Sequence, residues 1–145
     1  MKKKFKLRAF DSKKYFDVYV YSKLKDLRED CDEYDKKAGY ELDNDDTLGV
    51  CHPFQRVRVK PDGKDIIHDN IGIIRLYKKR LSTLIVFHET MHAAFWQYRL
   101  SLARKYKEKA NFGESNSDKE ESFIHLAGKI YMDMIRKMYK HKYWL

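Results

Sequence analysis

Two histidines and a glutamate form the pattern His-Glu-x-x-His at residues 88–92. On an α-helix, residues four apart lie on one face, so His88 and His92 can present their imidazoles to one ion. Neutral imidazole suits Zn²⁺, and two such ligands leave room for a third protein ligand and a water molecule. The spacing therefore predicts a zinc site, although a helical histidine is also often an ordinary polar residue.

The surroundings of the motif favour the metal site over that alternative. From Leu84 to Phe95 the segment is apolar nearly all round, which predicts a central buried helix. Burying two histidines and a glutamate there is unfavourable unless a partner satisfies them. Glu89 follows the first histidine and is expected to project beside the metal. It can then accept a proton from the metal-activated water and pass it to a leaving amine, which predicts Glu89 as the general base.

A third ligand is expected from the next helix, which opens with several carboxylates. Counting about 100° per residue places Glu120 on the line of Ile124, at the buried face, and Glu121 on the flank. Glu120 is therefore the favoured third ligand of a His₂Glu site. Ser117 and Glu120 also have the spacing of a capping box, and if that forms, Glu121 becomes the better ligand.

Two other residues of this segment have different expected roles. His125 is an alternative nitrogen ligand that lies a full turn further along, whereas Asp118 is expected to complement the helix dipole. A working peptidase also needs a group that stabilises the oxyanion. Four residues are candidates for that role: Tyr131, His52, His68 and Tyr77.

These residues resemble the minimal gluzincin pattern, in which His-Glu-x-x-His lies on one helix and a glutamate on the next. More narrowly, residues 87–94 and 120–127 resemble small phage and bacterial metallopeptidases of the ImmA/IrrE type. The resemblance implies a zinc-dependent endopeptidase fold, with the two histidines and the glutamate as ligands and Glu89 as the general base. Met91 departs from the ImmA-like pattern, which has glycine before the second histidine.

The first half of the chain must supply the sheet that supports this helix. Alternating apolar residues at 5–9 and 15–21 predict two strands that form a β-hairpin. Apolar residues at helical spacing then follow. Ser22 is the expected N-cap of that helix and Gly39 its C-cap.

Two more strands and two long helices complete the pattern. Alternation predicts strands at 54–59 and 71–77, the second being the expected rim along which an extended peptide could align. Cys51 beside His52 has no positioned partner, which favours a strand-end or turn over a thiol site. The helices are predicted at about 82–107, which carries the motif, and about 118–140, which carries the third ligand.

The order of these elements, β-β-α-β-β-α-α, is typical of the α+β class. We expect residues 1–145 to form a single zincin-like domain. Its twisted sheet of about four strands, built with one helix from residues 1–80, should pack on the central motif helix and on the C-terminal glutamate-bearing helix.

Composition bears on partners and location. The 145 residues include 31 Lys+Arg and 22 Asp+Glu, a net charge of +9 spread along the chain without a recognisable nucleic-acid-binding motif. This favours a solvated basic surface over nucleic-acid binding, and it suits an acidic peptide or protein substrate. No apolar run is long enough to span a membrane, and two cysteines do not make a disulfide framework. A cytoplasmic protein without membrane contact is predicted.

The leading hypothesis is a zinc metallopeptidase in which His88, His92 and Glu120 hold Zn²⁺ and Glu89 activates water. The alternative, from a different class, is a zinc-stabilised protein that cuts nothing. Such a protein would bind a phage or host factor, or nucleic acid through its basic surface.

Overall fold

The structure is a computed structural model that describes residues 2–9, 12–40, 44, 46–54, 58–59, 65–66, 69–106 and 117–143. Strands and helices alternate in the first half, and two long helices follow a short 3₁₀ helix, Lys78–Arg80. The strands are β1 (Lys2–Leu7), β2 (Tyr15–Tyr21), β3 (Gly49–Pro53), β4 (Arg58–Val59), β5 (Asp65–Ile66) and β6 (Asn70–Tyr77). The helices are α1 (Leu24–Ala38), α2 (Thr83–Tyr106) and α3 (Ser117–Lys140).

Four of the strands form one mixed sheet in the order β1-β2-β6-β3, while β4 and β5 pair separately. The predicted hairpin is confirmed, since β1 and β2 pair antiparallel with Phe5 opposite Val18. β6 lies parallel to β2 and antiparallel to β3. The prediction that residues 71–77 form the rim of the sheet is therefore wrong. β6 lies between β2 and β3, and β3 is an edge strand of the described sheet.

The fourth strand of that sheet also differs from the prediction. Alternation predicted this strand at 54–59, but the edge strand beside β6 is β3. β3 contains Cys51 and His52, for which a strand-end or a turn was expected. The short β3 has no clear apolar alternation because both of its faces are partly covered. Residues 58–59 lie in β4, and residues 55–57 lie outside the described residues.

The two faces of the sheet are covered by different helices. Side chains such as Phe16, Val18 and Ile74 point towards α2 and α3 and join a large apolar core with Val86 and Met134. The alternate residues point towards α1, which packs a smaller cluster on the other face: Tyr21, Leu27 and Cys31, with Tyr19, Val50 and Tyr77 against them. The sheet is therefore the middle of three layers.

Gly72 permits the closest approach in the centre of this sheet. A Cβ atom there would lie 2.2 Å and 2.6 Å from carbons of the Phe16 ring and 2.8 Å from the His52 carbonyl oxygen. These distances are far below van der Waals contact, so only glycine allows β2, β6 and β3 to pack as they do.

Helix α1 confirms one predicted cap and corrects the other. Gly39 ends it with φ of 81°, and its N–H approaches the carbonyl oxygens of Asp35 and Lys36. This left-handed conformation is one that glycine adopts without steric cost. The N-cap is Lys23 and not Ser22, and no side chain caps it by a hydrogen bond.

The two long helices lie close to their predicted bounds and pack against each other. Ser82 starts α2, where its Oγ accepts a hydrogen bond of 3.2 Å from the Ile85 N–H. Ring contacts join the helices: Phe87 to Tyr131 at 5.3 Å and Phe95 to Phe123 at 6.3 Å. Because the α3 partner number falls as the α2 number rises, the two helices run antiparallel.

The α+β class is confirmed, with a four-stranded mixed sheet and three α-helices in the described part of the chain. Within those residues, no helix combines the length and apolarity that crossing a bilayer requires. Cys31 and Cys51 are both free thiols.

Candidate metal centre

His88 and His92 converge on the outer face of α2. Their Nε2 atoms are 3.1 Å apart, and their ring centroids are 4.7 Å apart with the rings nearly perpendicular. Both side chains are exposed. The one-turn spacing of the motif therefore produces the convergence that the sequence predicts.

The separation of the two nitrogens fits a shared zinc ion. Two nitrogens at 2.0–2.1 Å from a tetrahedral zinc would lie about 3.3 Å from each other. Burial and the neighbouring His88 lower the pKa of His92, which favours the neutral imidazole that binds metal. The distance equally suits an N–H···N hydrogen bond between two neutral rings, so the pair is organised for either arrangement.

Glu89, the neighbour of His88, is buried, whereas the two histidines are exposed. It is 8% exposed, and the backbone N–H of Cys51 donates a hydrogen bond to its carboxylate. Burial raises the pKa of Glu89, while His88 and the Cys51 amide oppose that shift. Since Cys51 belongs to β3, Glu89 links the motif helix to the terminal strand of the sheet.

The expected burial of the whole motif is thus wrong in part. One side of α2 packs against the sheet and α3 and buries Val86, Glu89 and Thr90. The side that carries His88 and His92 is exposed to solvent. The two histidines lie on that open face, and only His92 is partly desolvated there. Thr90 is a packing residue, and its hydroxyl donates to the Val86 carbonyl oxygen at 2.6 Å.

The structure does not bring the predicted third ligands to the histidine pair. Glu120 is exposed on α3, and Glu121 is exposed and 3.9 Å from His125. The expectation that Glu120 heads the buried stripe is wrong, because the buried stripe of α3 passes through Ala127, Ile130 and Met134 and leaves even Ile124 60% exposed. The described residues contain no group of three His, Cys, Asp or Glu side chains that could hold a metal.

Glu120 and Glu121 are kept from the histidine pair by the position along α2 at which α3 begins. The Tyr98 hydroxyl donates to the Lys119 carbonyl oxygen at 2.7 Å, so the first turn of α3 lies beside Tyr98. Tyr98 is six residues beyond His92, about 9 Å along the helix axis. Which of Glu120 and Glu121 would be the third ligand stays a prediction. The side chains of Ser117 and Asp118 lie outside the described residues, so the capping box and the dipole role are not tested.

Of the oxyanion-stabilising candidates, Tyr131 lies on the same side of the sheet as the motif. Its ring meets the edge of Phe87, which directly precedes His88. His52 and Tyr77 belong to the other side, since His52 stacks on Tyr34 of α1 at 4.1 Å and Tyr77 packs with the smaller cluster. His68 lies outside the described residues.

Apolar side chains flank the histidines on the open face. We call these residues the apolar flank: Leu84, Phe87 and Phe95 of α2, and Ile124 of α3. Leu84 is 75% exposed, and each of the others is more than one third exposed. A cluster of exposed large apolar side chains beside polar groups is typical of a binding surface.

Sequence reasoning did not find the apolar flank or the contact of Cys51 with Glu89. The flank was hidden because an unbroken apolar segment predicts burial on every side. The Cys51 contact is made by a backbone amide, which has no residue-specific pattern.

No protein-family model matches the chain, and no curated protein or solved structure shows significant similarity to it.

Proposed function

We propose that the protein is a zinc-dependent metallopeptidase of the gluzincin type. The observation that carries this proposal is the 3.1 Å separation of the His88 and His92 Nε2 atoms, with the buried Glu89 one residue after the first ligand. His88 and His92 would hold the metal, with Glu120, or alternatively Glu121, as third ligand. Zinc bound there would supply a Lewis acid that polarises a peptide carbonyl and makes water more acidic.

Glu89 fits the role of general base. A carboxylate whose pKa is raised by burial accepts a proton more readily near neutral pH than an exposed one. Its hydrogen bond from the Cys51 N–H holds the carboxylate between α2 and the sheet. Tyr131 is the residue we assign to the oxyanion, because its hydroxyl-bearing ring packs beside the motif helix.

The substrate is an extended peptide or protein segment. β3 is an edge strand of the described sheet, and edge strands can bind extended peptides by main-chain hydrogen bonding. The apolar flank would contact the side chains of the bound segment. The basic surface favours acidic substrates, and we place the activity in the cytoplasm because both cysteines are free.

A zinc-stabilised binding protein is the second candidate. The exposure of Glu120 and Glu121 favours it, because without one of them the site lacks the three protein ligands of a catalytic zinc. In that case the apolar flank would bind a partner protein that is not cleaved.

Elemental analysis of the natively purified protein tests the proposal. We expect about one zinc per chain in the wild type and loss of zinc in His88→Ala and His92→Ala. His141→Ala is the matched control, since His141 follows α3 and its ring stacks on Phe5 of β1. Glu120→Gln and Glu121→Gln should separate the two third-ligand assignments, because only one of them should lower zinc content.

Glu89→Gln separates the two candidate functions. It should retain zinc and lose peptide hydrolysis by at least about 100-fold. Unchanged hydrolysis in Glu89→Gln would reject the general base. Zinc in the wild type without hydrolysis of any peptide in a diverse library would favour the binding protein, and absence of zinc would reject both.

A further inference from the structure

A second polar site lies on the face of the sheet that carries α1, away from the histidine pair. It is an open cavity of about 240 Å³ between α1 and strands β1, β2 and β6. Three tyrosines and three basic residues dominate its lining: Tyr19, Tyr21, Tyr34, Lys2, Lys37 and Arg75.

Arg75 is the unusual member of this set. It is 7% exposed, and among the described residues it forms no ion pair with a carboxylate. Its Nη1 lies 2.7 Å from Nδ1 of His52, and its Nε is buried without a hydrogen-bond partner in the described part of the chain. Burial and Arg75 lower the pKa of His52 to about 4, so the ring is neutral at physiological pH. The Tyr21 hydroxyl also accepts a hydrogen bond from Arg75. Because both partners are neutral, the buried guanidinium is costly unless an anion completes it.

The two acids that line the cavity are already engaged. Asp30 accepts hydrogen bonds from Lys2 at 2.9 Å and from the Tyr21 hydroxyl at 2.6 Å. Glu33 pairs with Lys37 at 3.1 Å on the surface of α1. Each lysine is thereby matched by an acid, so the charge of Arg75 is in excess among the residues that line the cavity. The buried Asp35 lies 3.6 Å from Nε2 of His52, and the His52 ring separates it from Arg75.

We propose that this cavity binds a small oxyanion, a phosphate or carboxylate group, on the guanidinium of Arg75. Guanidinium binds such groups through its N–H donors, and Arg75 is the guanidinium that lines this cavity. The Tyr34 ring lies 5.5 Å from the guanidinium carbon and forms a wall against which a flat group can rest. The volume is below that of most drug-sized sites, so the ligand is a small molecule or the terminal group of a larger one.

Titration of the full-length protein with small anions, followed by amide chemical shifts, tests the site. Phenyl phosphate and benzoate carry the two anionic groups on the same ring, inorganic phosphate lacks the ring, and benzyl alcohol lacks the charge. We expect saturable binding of at least one ring-bearing anion with a Kd of about 1 mM or tighter, and none of benzyl alcohol. Preference for phenyl phosphate or benzoate identifies the anionic group, and both results support the site.

Three variants assign the binding to Arg75. Arg75→Met should abolish it, and Arg75→Lys, which keeps the charge but loses the planar donors, should weaken it by about tenfold. Lys37→Met should weaken it by a few-fold. Lys36→Met removes the same charge from α1 outside the cavity lining and should change Kd by less than about twofold.

Two results would overturn the proposal. One is the absence of saturable binding of all three anions up to about 10 mM, well above the expected Kd. The other is equal binding in the wild type and in Arg75→Met or, if that variant does not fold, in Arg75→Lys and Lys37→Met together.

Discussion

The two faces of the sheet are built on different principles. Towards α2 and α3 the sheet presents an almost wholly apolar surface, and residues such as Val18, Ile74 and Met134 are fully buried. Towards α1 it presents tyrosines and charged residues, among them Asp17 and Arg75, which are buried but polar. The first face obtains stability from apolar area and packing, the second from hydrogen bonds that must each find a partner.

Hydrogen bonds join several of the polar groups on the α1 face. Asn44 donates to Asp35 at 2.8 Å and to Asp32 at 2.9 Å, while Asn70 donates to Asp17 at 3.0 Å. Such a network fixes geometry strongly when it is complete, and each open position in it is a place where a ligand can bind. On the apolar face, the site that we propose lies at the outer rim, on the exposed side of α2.

The largest loss of stability is expected from Gly72→Ala, which would disrupt the packing of the apolar face. The new Cβ would overlap the Phe16 ring and the His52 carbonyl oxygen, and the central strands would have to separate. We expect a loss of about 3 kcal/mol or more in the free energy of unfolding, measured by chemical denaturation. Gly128→Ala is the control, since a Cβ there meets nothing within 4 Å and should be neutral or slightly stabilising. Equal effects of the two substitutions would contradict the packing described.

The α1 face should make the free energy of unfolding depend on pH, through His52. Because its pKa is about 4 in the folded protein and near 6.5 when unfolded, His52 stays neutral in the folded chain while the unfolded chain takes up a proton. The contribution of neutral His52 to stability is therefore fully present above about pH 6.5 and is lost as the pH falls towards 4, which lowers the free energy of unfolding by about 3 kcal/mol. Unfolding curves at pH 7 and pH 4.5 measure this loss.

His52→Asn should remove most of that pH dependence, because the asparagine oxygen can still accept from Arg75 but does not titrate. His125→Asn, on the exposed surface of α3, should retain it. If His52→Asn and wild type lose stability equally between the two pH values, the buried neutral histidine is not the cause.

The smallest effect on stability is expected at the apolar flank. Ile124→Ser and Leu84→Ser should change the free energy of unfolding by less than about 0.5 kcal/mol, because both side chains are mostly exposed. If this surface contacts substrate, the same variants should raise KM for an apolar peptide. A loss of 2 kcal/mol or more, about the cost of removing a buried leucine, would show that the flank is covered in solution.

Local patterns predicted much of this architecture. The β1–β2 hairpin, the αL end of α1 at Gly39 and the extents of α2 and α3 follow from alternation, helical spacing and glycine stereochemistry. The convergence of His88 and His92 follows from helix geometry alone.

Other features depend on contacts between distant parts of the chain. β3 was missed because partial cover on both faces removes the alternation that marks a strand. The exposure of Glu120 depends on the rotation and level of α3 against α2, which the periodicity of α3 alone cannot specify. Arg75 interrupts an otherwise apolar strand, and its role becomes visible only when His52 and Tyr34 are placed beside it.

The central position of β6 also has a kinetic consequence. β2 acquires its inner neighbour only when it pairs with β6, and Phe16 and Gly72 are more than fifty residues apart in the chain. During synthesis, the hairpin of β1 and β2 must therefore wait for β6, and Phe5 and Phe16 stay uncovered until α2 and α3 pack on them. Closing such a long loop before its contacts form is slow, so we expect folding to be limited by this pairing. Until then the nascent chain exposes its most aggregation-prone surface, and binding by a chaperone would be most valuable at this stage.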